Sequence, residues 1–511
     1  MITGKGVPFF YDVTLRDGNQ ALKKPWNTGE KEKVFLKLVN LGVQGIEVGF
    51  SGASEMDFEA CEHLANIAPG DVVISGLART LESDIQKVYD SIRNAKKPRI
   101  HTFIALSPFS MKFVLKRQPK DVQKIAVEAC AFARELLGKK GSVQFSAEHF
   151  GDSKNNLNFV IETFEKCISA GADVINLPNT VERTRVSDFI EMVKKVARVI
   201  GKYCTIAVHC HNDLGMGTAT TVESFFAGAT QLEVSLNGLG ERAGNTNLFE
   251  VAVSLHNSGV KVPLRMQEIY ETAVFISEIS GVPIYEKAPL IGPDALAHRS
   301  GIHQDGTIKT MMMKKGAYRP IHPTLIGRDS GDYIGFTSQS GKTAIYELLT
   351  KAGLPITMHE AVYLQPFMKS LAEKKGELSI DDMEQIYFDK LFNIKGKIQL
   401  IKFEEVQGGK IHKYRLHFIY KDRHIVETGT GEGPIEAVID AINRAGFPVS
   451  LVHFHQMALD EEKSGARANA ITVIKLKNKE TNHEILCRGM SRDTRKANIN
   501  AIFNGLNLLF K

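Results

Sequence analysis

The chain has 511 residues, 43% hydrophobic and 24% charged, which excludes a disordered chain and a single small module. Its 64 Lys and Arg against 58 Asp and Glu leave a charge of +6, with no long basic run, so nucleic acid is not an expected partner and one bound polyanion is compatible. Six cysteines without CxxC spacing exclude a disulfide scaffold or a thiolate zinc site, and the lack of a leader pattern or a long apolar run points to a cytoplasmic protein with no membrane span.

From residue 7 onwards, short apolar runs alternate with amphipathic stretches. Strands are predicted at 7–13, 43–49, 72–78, 100–106, 143–147, 174–177, 206–209 and 232–236. Helices are predicted at 30–41, 158–170, 186–200 and 220–227, and Val34, Leu38 and Leu41 share one face of the first. Gly42, Gly171 and Gly228 stand where C-terminal caps belong. Eight strands, each followed by a helix, is the count of an α/β TIM barrel; an open doubly wound sheet is the alternative. The barrel is preferred because the chemical motifs fall at the ends of many different strands.

After residue 262 the alternation stops. A helix is predicted at 266–279, a Pro- and Gly-rich connection at 281–301 leading to Met311–Met313, and helices at 338–352, 359–374 and 379–388. From residue 396 the pattern is strand, strand, strand, helix, twice: 397–406, 411–420, 424–430 and helix 434–445, then 449–459, 470–476, 483–490 and helix 493–509. One such unit leaves its sheet half exposed, so two must pack together or pair with another chain. The expected organisation is a barrel domain over 1–280, mostly helical linker subdomains over 281–395, and a C-terminal α+β domain over 396–511 built from a βββα repeat.

Four constellations carry chemistry. At the end of the first strand, Arg16 precedes Asp17 and Gly18; the Asp can ligate a metal and the Arg can stabilise an oxyanion, against the plainer reading of a loop salt bridge. On the seventh strand, His209 and His211 are two apart and face the same way, converging on one ion. Asp17 completes a set of two histidines and a carboxylate that suits Zn or Mn, with Mg the third option. After the eighth strand, Gly238, Gly240 and Ala243 match a loose dinucleotide pattern out of context, with Ser258 where an acid should stand. That loop is instead expected to meet a polyanionic cofactor through Asn237, Gly238, Gly240, Glu241 and Arg242, and to bring Asn245 to the metal. Ser146 and Glu148 share a face of the fifth strand and, with His101 and Thr180, ring the same mouth; taken singly, each could be core. The stretch 335–343 resembles a P-loop, but it has five residues between its glycines and no apolar strand before it.

Together these residues resemble the α-isopropylmalate synthase family, within the metal-dependent barrel enzymes that include homocitrate and citramalate synthases and hydroxymethylglutaryl-CoA lyase. The matching stretches are 12–18, 99–105, 209–213, 237–245 and 300–306, with 428–434 and 491–509 in the C-terminal repeat. The resemblance implies that Asp17, His209, His211 and Asn245 bind a divalent metal and that Arg16 stabilises the oxyanion. It implies that His101, Ser146, Glu148 and Thr180 hold a 2-keto acid, and that His303, from the linker of this chain or of the partner subunit, is the candidate base, acting with Glu148. Val13 and Asn19 replace the family's usual Thr and Glu, and Asn179 replaces its usual Asp. For a linker tyrosine of some relatives, Tyr318 and Tyr333 are both candidates.

The implied reaction condenses acetyl-CoA with 3-methyl-2-oxobutanoate to give 2-isopropylmalate, the first committed step of leucine biosynthesis. Citramalate or homocitrate synthesis and a lyase reaction are the alternatives. No extra cation for a distal carboxylate is visible, which counts against homocitrate, and a lyase would not need the repeat. The resemblance further implies a homodimer that senses leucine between paired C-terminal domains, through loops that include Gly429, Gly431, Gly433, Ala466 and Ala468. Isoleucine is the rival effector.

Overall fold

The computed structural model describes residues 6–313, 315–328, 332–459 and 468–510. The chain divides into two compact units, one of Met1–Leu296 with Arg319–Gly331 and the other of Ala297–Tyr318 with Asp332–Lys511.

The first unit is a closed parallel barrel of eight strands in sequence order. They are β1 (Phe9–Asp12), β2 (Gly45–Gly49), β3 (Val73–Arg79), β4 (Pro98–Ala105), β5 (Ser142–Glu148), β6 (Val174–Asn179), β7 (Thr205–Cys210) and β8 (Gln231–Val234). β1 closes the ring on β8 with Phe9 opposite Gln231 and Asp12 opposite Val234. The outer layer is α1 (Thr28–Leu41), α2 (Glu55–Ile67), α3 (Glu82–Ile92), α4 (Pro119–Leu137), α5 (Leu157–Ser169), α6 (Val186–Ile200), α7 (Gly217–Phe226) and α8 (Leu248–Asn257), followed by α9 (Ile269–Ser280). α1 begins with a capping box between Asn27 and Glu30, which satisfies donors that the first turn leaves open. It ends at Gly42, whose φ of 91° few other residues would adopt.

The barrel's outward side chains form one apolar core with these helices, including Ile46, Ile74, Ile100, Val143 and Val208. Its inward side chains are largely polar. Arg99 donates to Gln231 (2.7 Å) and Gln144 (3.2 Å), and Gln144 donates to Glu233 (2.7 Å). Buried polar groups need such partners, and this layer supplies a hydrogen-bonded floor beneath the C-terminal mouth of the barrel.

In the second unit, β9 (Ala297–His298) pairs with β10 (Tyr333–Ile334), and the helices are α10 (Gly301–Thr310), α11 (Lys342–Lys351), α12 (Met358–Lys375) and α13 (Ile380–Leu391). α10 starts at the end of the stretch expected to be a connection. Its sequence carries two glycines and no apolar stripe, and only Gln304 and Thr307 are buried, so no helical period is visible in it. α11 starts four residues later than expected because Gly341 is its N-cap, while the buried Ser340 hydroxyl accepts from Thr337 N (2.9 Å) and Gln304 Nε2 (3.1 Å). The P-loop-like stretch is thus a closed turn, and the short strand β10 does precede it.

The repeat follows as β11 (Ile398–Gln407), β12 (His412–Tyr420), β13 (Arg423–Gly431) and α14 (Pro434–Arg444), then β14 (Val449–Leu459), β15 (Asn469–Asn478), β16 (Glu484–Ser491) and α15 (Thr494–Leu509). Each half is a three-stranded antiparallel sheet. The two halves share one core, with Leu416, Phe418 and Ile442 from the first and Leu476, Ile502 and Phe503 from the second. A Cβ on Gly429 would lie 2.2 Å from the Ala437 carbonyl, and one on Gly489 would lie 2.2 Å from that of Ala497, so each helix presses on its strand at an equivalent glycine. Gly431 is similarly tight, 2.6 Å from Ala437 N, whereas Gly433 meets nothing within 4 Å. Ala466 lies outside the described residues, and Ala468 is half-buried.

A buried ion pair ties the second half of the repeat to the helices of the same unit. Arg488 on β16 reaches Glu360 on α12 through two bonds (2.5 and 2.6 Å) and also donates to Tyr387 (3.1 Å). Removing one partner strands the other charge in the interior. Glu360→Ala is expected to cost about 3–5 kcal/mol, read as a lower chemical-denaturation midpoint of the full chain.

Candidate active site

The site begins where β1 ends. The buried Asp12 carboxylate accepts from the backbone N–H and the hydroxyl of Thr14 (2.8 and 2.9 Å), and burial pushes it up to about 7 despite those bonds. The chain then makes a wide helical turn, Thr14–Gly18, in which Arg16, Asp17 and Gly18 all donate their N–H to the Val13 carbonyl. Gly18 is close to Leu239, 3.1 Å from a would-be Cβ. The turn sets Arg16 and Asp17 side by side, with Arg16 Nη1 2.6 Å from Asp17 Oδ2. Arg16 Nε meets Glu47 Oε2 at 2.5 Å.

His209 ends β7 facing inward and His211 follows it. Their Nε2 atoms are 3.3 Å apart, and His209 Nε2 lies 4.0 Å from Asp17 Oδ2. One ligating atom each from Asp17, His209 and His211 falls within 4.8 Å of the other two. His209 Nδ1 faces Glu233 Oε2 at 3.1 Å, which places a ring proton there and turns Nε2 toward His211. Burial, with His209 alongside, lowers His211 to about 3, so the His211 ring is neutral. Burial opposes the charge on Asp17, yet the Arg16 guanidinium beside it brings it well below the usual carboxylate range. Two ring nitrogens turned to each other beside a carboxylate form a donor set that fits a divalent metal.

The loop after β8 adds to that fit. Asn245 pairs with His211 in an isolated bridge, donates Nδ2 to the Leu239 carbonyl (3.1 Å), and keeps a buried Oδ1 without a hydrogen-bond partner. A Cβ on Gly240 would strike Asn245 Nδ2 at 2.3 Å, and one on Gly244, at φ 97°, would strike the Gly238 carbonyl at 2.1 Å. The glycines therefore wrap Asn245. Of the residues expected to meet a polyanion, Asn237 donates its side chain to the Ala273 carbonyl, and Gly238 and Gly240 shape the turn. Glu241 and Arg242 line the cavity. Glu241 N donates to Asp17 Oδ1 (3.1 Å), and Arg242 pairs with Asp213 (2.8 Å) and donates to the Thr180 carbonyl (2.6 Å).

These groups open on a cavity of about 300 Å³ that His101, Ser146, Glu148 and Thr180 also line. Thr180 Oγ1 accepts from His149 N (2.9 Å). A second cavity of about 280 Å³, walled by Trp26, Met56 and Lys31, shares Arg16, Gln20 and Phe50 with the first. His303 is on α10, in the other unit, with its ring stacked on Tyr318 at 4.1 Å. Tyr333 instead places its hydroxyl 2.5 Å from Glu377.

Sequence reasoning passed over Glu47 and Glu233, both fully buried and both touching predicted site residues. The signal was present, because each is an acid flanked on its short strand by apolar residues, Ile46 and Val48 or Leu232 and Val234. Glu233→Gln is expected to lower metal affinity about 10- to 100-fold, and His209→Ala to abolish binding, read as metal content per chain after gel filtration.

Three family models cover the chain. Residues 8–276 match the HMGL-like family, 294–350 the alpha-isopropylmalate synthase post-catalytic domain, and 377–510 the LeuA allosteric (dimerisation) domain. The "2-isopropylmalate synthase 2" of Leptospira interrogans is 55% identical over 381 residues, 74% of this chain and 89% of that protein. The "2-isopropylmalate synthase" of Campylobacter hominis is 34% identical over 504 residues, 97% of each chain. That of Pyrococcus abyssi is 34% identical over 494 residues, 95% of this chain and 98% of the other. With relatives matched over nearly their whole length and family models from the barrel to the C-terminal repeat, the chain belongs to the 2-isopropylmalate synthase family of HMGL-like barrel proteins.

Proposed function

We propose that the protein condenses acetyl-CoA with 3-methyl-2-oxobutanoate to give 2-isopropylmalate and CoA, as a cytoplasmic homodimer that leucine inhibits. We assign residues 1–280 to catalysis, 281–395 to the linker and 396–511 to regulation. The carrying observation is that Asp17, His209 and His211 converge beside Arg16 in one cavity.

Asp17, His209, His211 and Asn245 would hold a divalent metal, Zn, Mn or Mg, which would supply a Lewis acid to the keto group. Arg16 is clamped through Nη1 by Asp17 and through Nε by Glu47, so its guanidinium needs no reorganisation to meet a developing alkoxide. Thr180 and Glu148 hold the keto acid from the opposite wall. The adjoining cavity, reached past Arg16 and Phe50, suits the pantetheine arm of acetyl-CoA. Both guanidiniums lining the first cavity are already paired with carboxylates, which leaves none to receive the distal carboxylate of 2-oxoglutarate. The methyl proton of acetyl-CoA is assigned to Glu148 and His303.

A keto-acid panel that follows free CoA tests the assignment, with the highest kcat/KM expected for 3-methyl-2-oxobutanoate. A higher value with pyruvate or 2-oxoglutarate would overturn it. Exchange of the acetyl-CoA methyl protons with deuterated water separates the bases. The variant, Glu148→Gln or His303→Ala, that slows exchange about 100-fold or more marks the proton acceptor. Leucine is expected to release heat on titration into the full chain and to lower its rate; no heat, or heat with isoleucine alone, counts against the regulatory reading.

A further inference from the structure

The proposed reaction has two halves, and the residues named so far serve only the first. Once the carbon–carbon bond has formed, the product is still a CoA thioester, which has to be hydrolysed. A second set of polar groups stands at the same cavity: His101 and Ser146 line it, and Glu47 lies behind His101. Glu47 on β2, His101 on β4 and Ser146 on β5 are 0%, 3% and 4% exposed. Glu47 Oε1 lies 2.5 Å from His101 Nδ1, and His101 Nε2 lies 2.6 Å from Ser146 Oγ. On the next strand, Asn176 Nδ2 donates to Ser146 Oγ at 2.8 Å.

One arrangement of the hydrogens turns this chain into a relay. Glu47 accepts the proton of His101 Nδ1, Ser146 accepts from Asn176, and the Ser146 hydroxyl donates to His101 Nε2. Carboxylate, imidazole and hydroxyl thus stand in the order and at the spacing of a nucleophile-activating triad, recognised by geometry and not by sequence position. Asn176 Oδ1, in the same wall, is buried without a hydrogen-bond partner. A buried acceptor left open beside an activated hydroxyl is where a water can be held.

We propose that Glu47, His101 and Ser146 form a proton relay that activates the water hydrolysing the condensed product's CoA thioester, a step that rests on the condensation proposed above. The water oxygen bonds to the thioester carbonyl carbon while one of its protons passes to Ser146 Oγ and the Ser146 proton passes to His101 Nε2. The tetrahedral intermediate collapses with cleavage of the carbon–sulfur bond, and the CoA sulfur takes the proton from His101. The products are a carboxylic acid, which loses its proton to solvent, and free thiol. No oxidant or further reactant is needed. Glu47 acts through His101 as a positioning residue, holding the proton on Nδ1 and stabilising the imidazolium that forms.

Rapid-quench single turnovers of the full-length, metal-loaded protein, resolved by mass spectrometry, test the relay. In Ser146→Ala, the CoA thioester of the condensed acid is expected to accumulate while free CoA appears about 100-fold or more slowly than acetyl-CoA disappears. His101→Gln is expected to behave in the same way and serves if the first variant does not fold. If acetyl-CoA loss and CoA release slow together with no intermediate, these residues only bind substrate and the relay is wrong. Supplying the synthetic thioester directly separates the two proposals. Wild-type protein that hydrolyses it but condenses no keto acid refutes the condensation and leaves the relay. A Ser146→Ala protein that hydrolyses it at the wild-type rate refutes the relay and leaves the condensation.

Discussion

A fully buried carboxylate, Glu47, holds this site in place. A charge with no access to water costs several kcal/mol, so it persists only where partners replace the lost solvation. Glu47 has two such partners: Arg16 on one oxygen and His101 on the other, each at 2.5 Å. Burial works against its charge, yet Arg16 and His101, with the hydrogen bonds they donate, lower it to about 2. Tyr11 adds a third bond from its hydroxyl at 3.1 Å. The consequence runs outward. Arg16 is fixed by Glu47, Asp17 is fixed by Arg16, and Asp17 faces the two histidines.

The same economy of charge governs the rest of the barrel's interior. Glu233 is the second buried carboxylate, and it orients His209 while taking bonds from Gln144 and Gln231. Below them Arg99 joins both glutamines and lies over the ring of Tyr11. Asp17 and His209 therefore each have a partner behind them, and each of those partners has another behind that. Such layering holds a ligand in one orientation, because a side chain that swings away leaves a buried donor or acceptor unmet.

Much of this was legible in the sequence, for definite reasons. Each barrel strand turns apolar side chains outward against the helices, and these short apolar runs let all eight strands be found, though the first shortened from 7–13 to Phe9–Asp12. The pair His209 and His211 was legible because a strand repeats every two residues. The turn Thr14–Gly18 was not, because its shape comes from several N–H groups sharing the Val13 carbonyl, which no periodicity records. α10 was missed because it has no amphipathic face to reveal it. The loop after β8 was legible as part of the site, but the way Gly240 and Gly244 make room for Asn245 was not, because it depends on contacts within the folded turn. Glu47 reaches His101 across 54 residues and Arg16 across 31, and spacing within one sequence cannot show such pairings.

Glu47 also explains how one small cavity can serve two steps of opposite demand. Condensation places negative charge on the former keto oxygen and needs a fixed cation near it, which Arg16 supplies. Hydrolysis needs a neutral imidazole that can take a proton and give it back, which His101 supplies. If both drew on the same oxygen of one carboxylate, a proton arriving at His101 would weaken the hold on Arg16. The two partners instead take separate oxygens on opposite sides of the carboxyl group. When His101 gains its proton, the attraction to Glu47 strengthens while the Arg16 bond keeps its own acceptor. The cation used first is therefore still in position when the relay acts, and the site need not rearrange between the two steps.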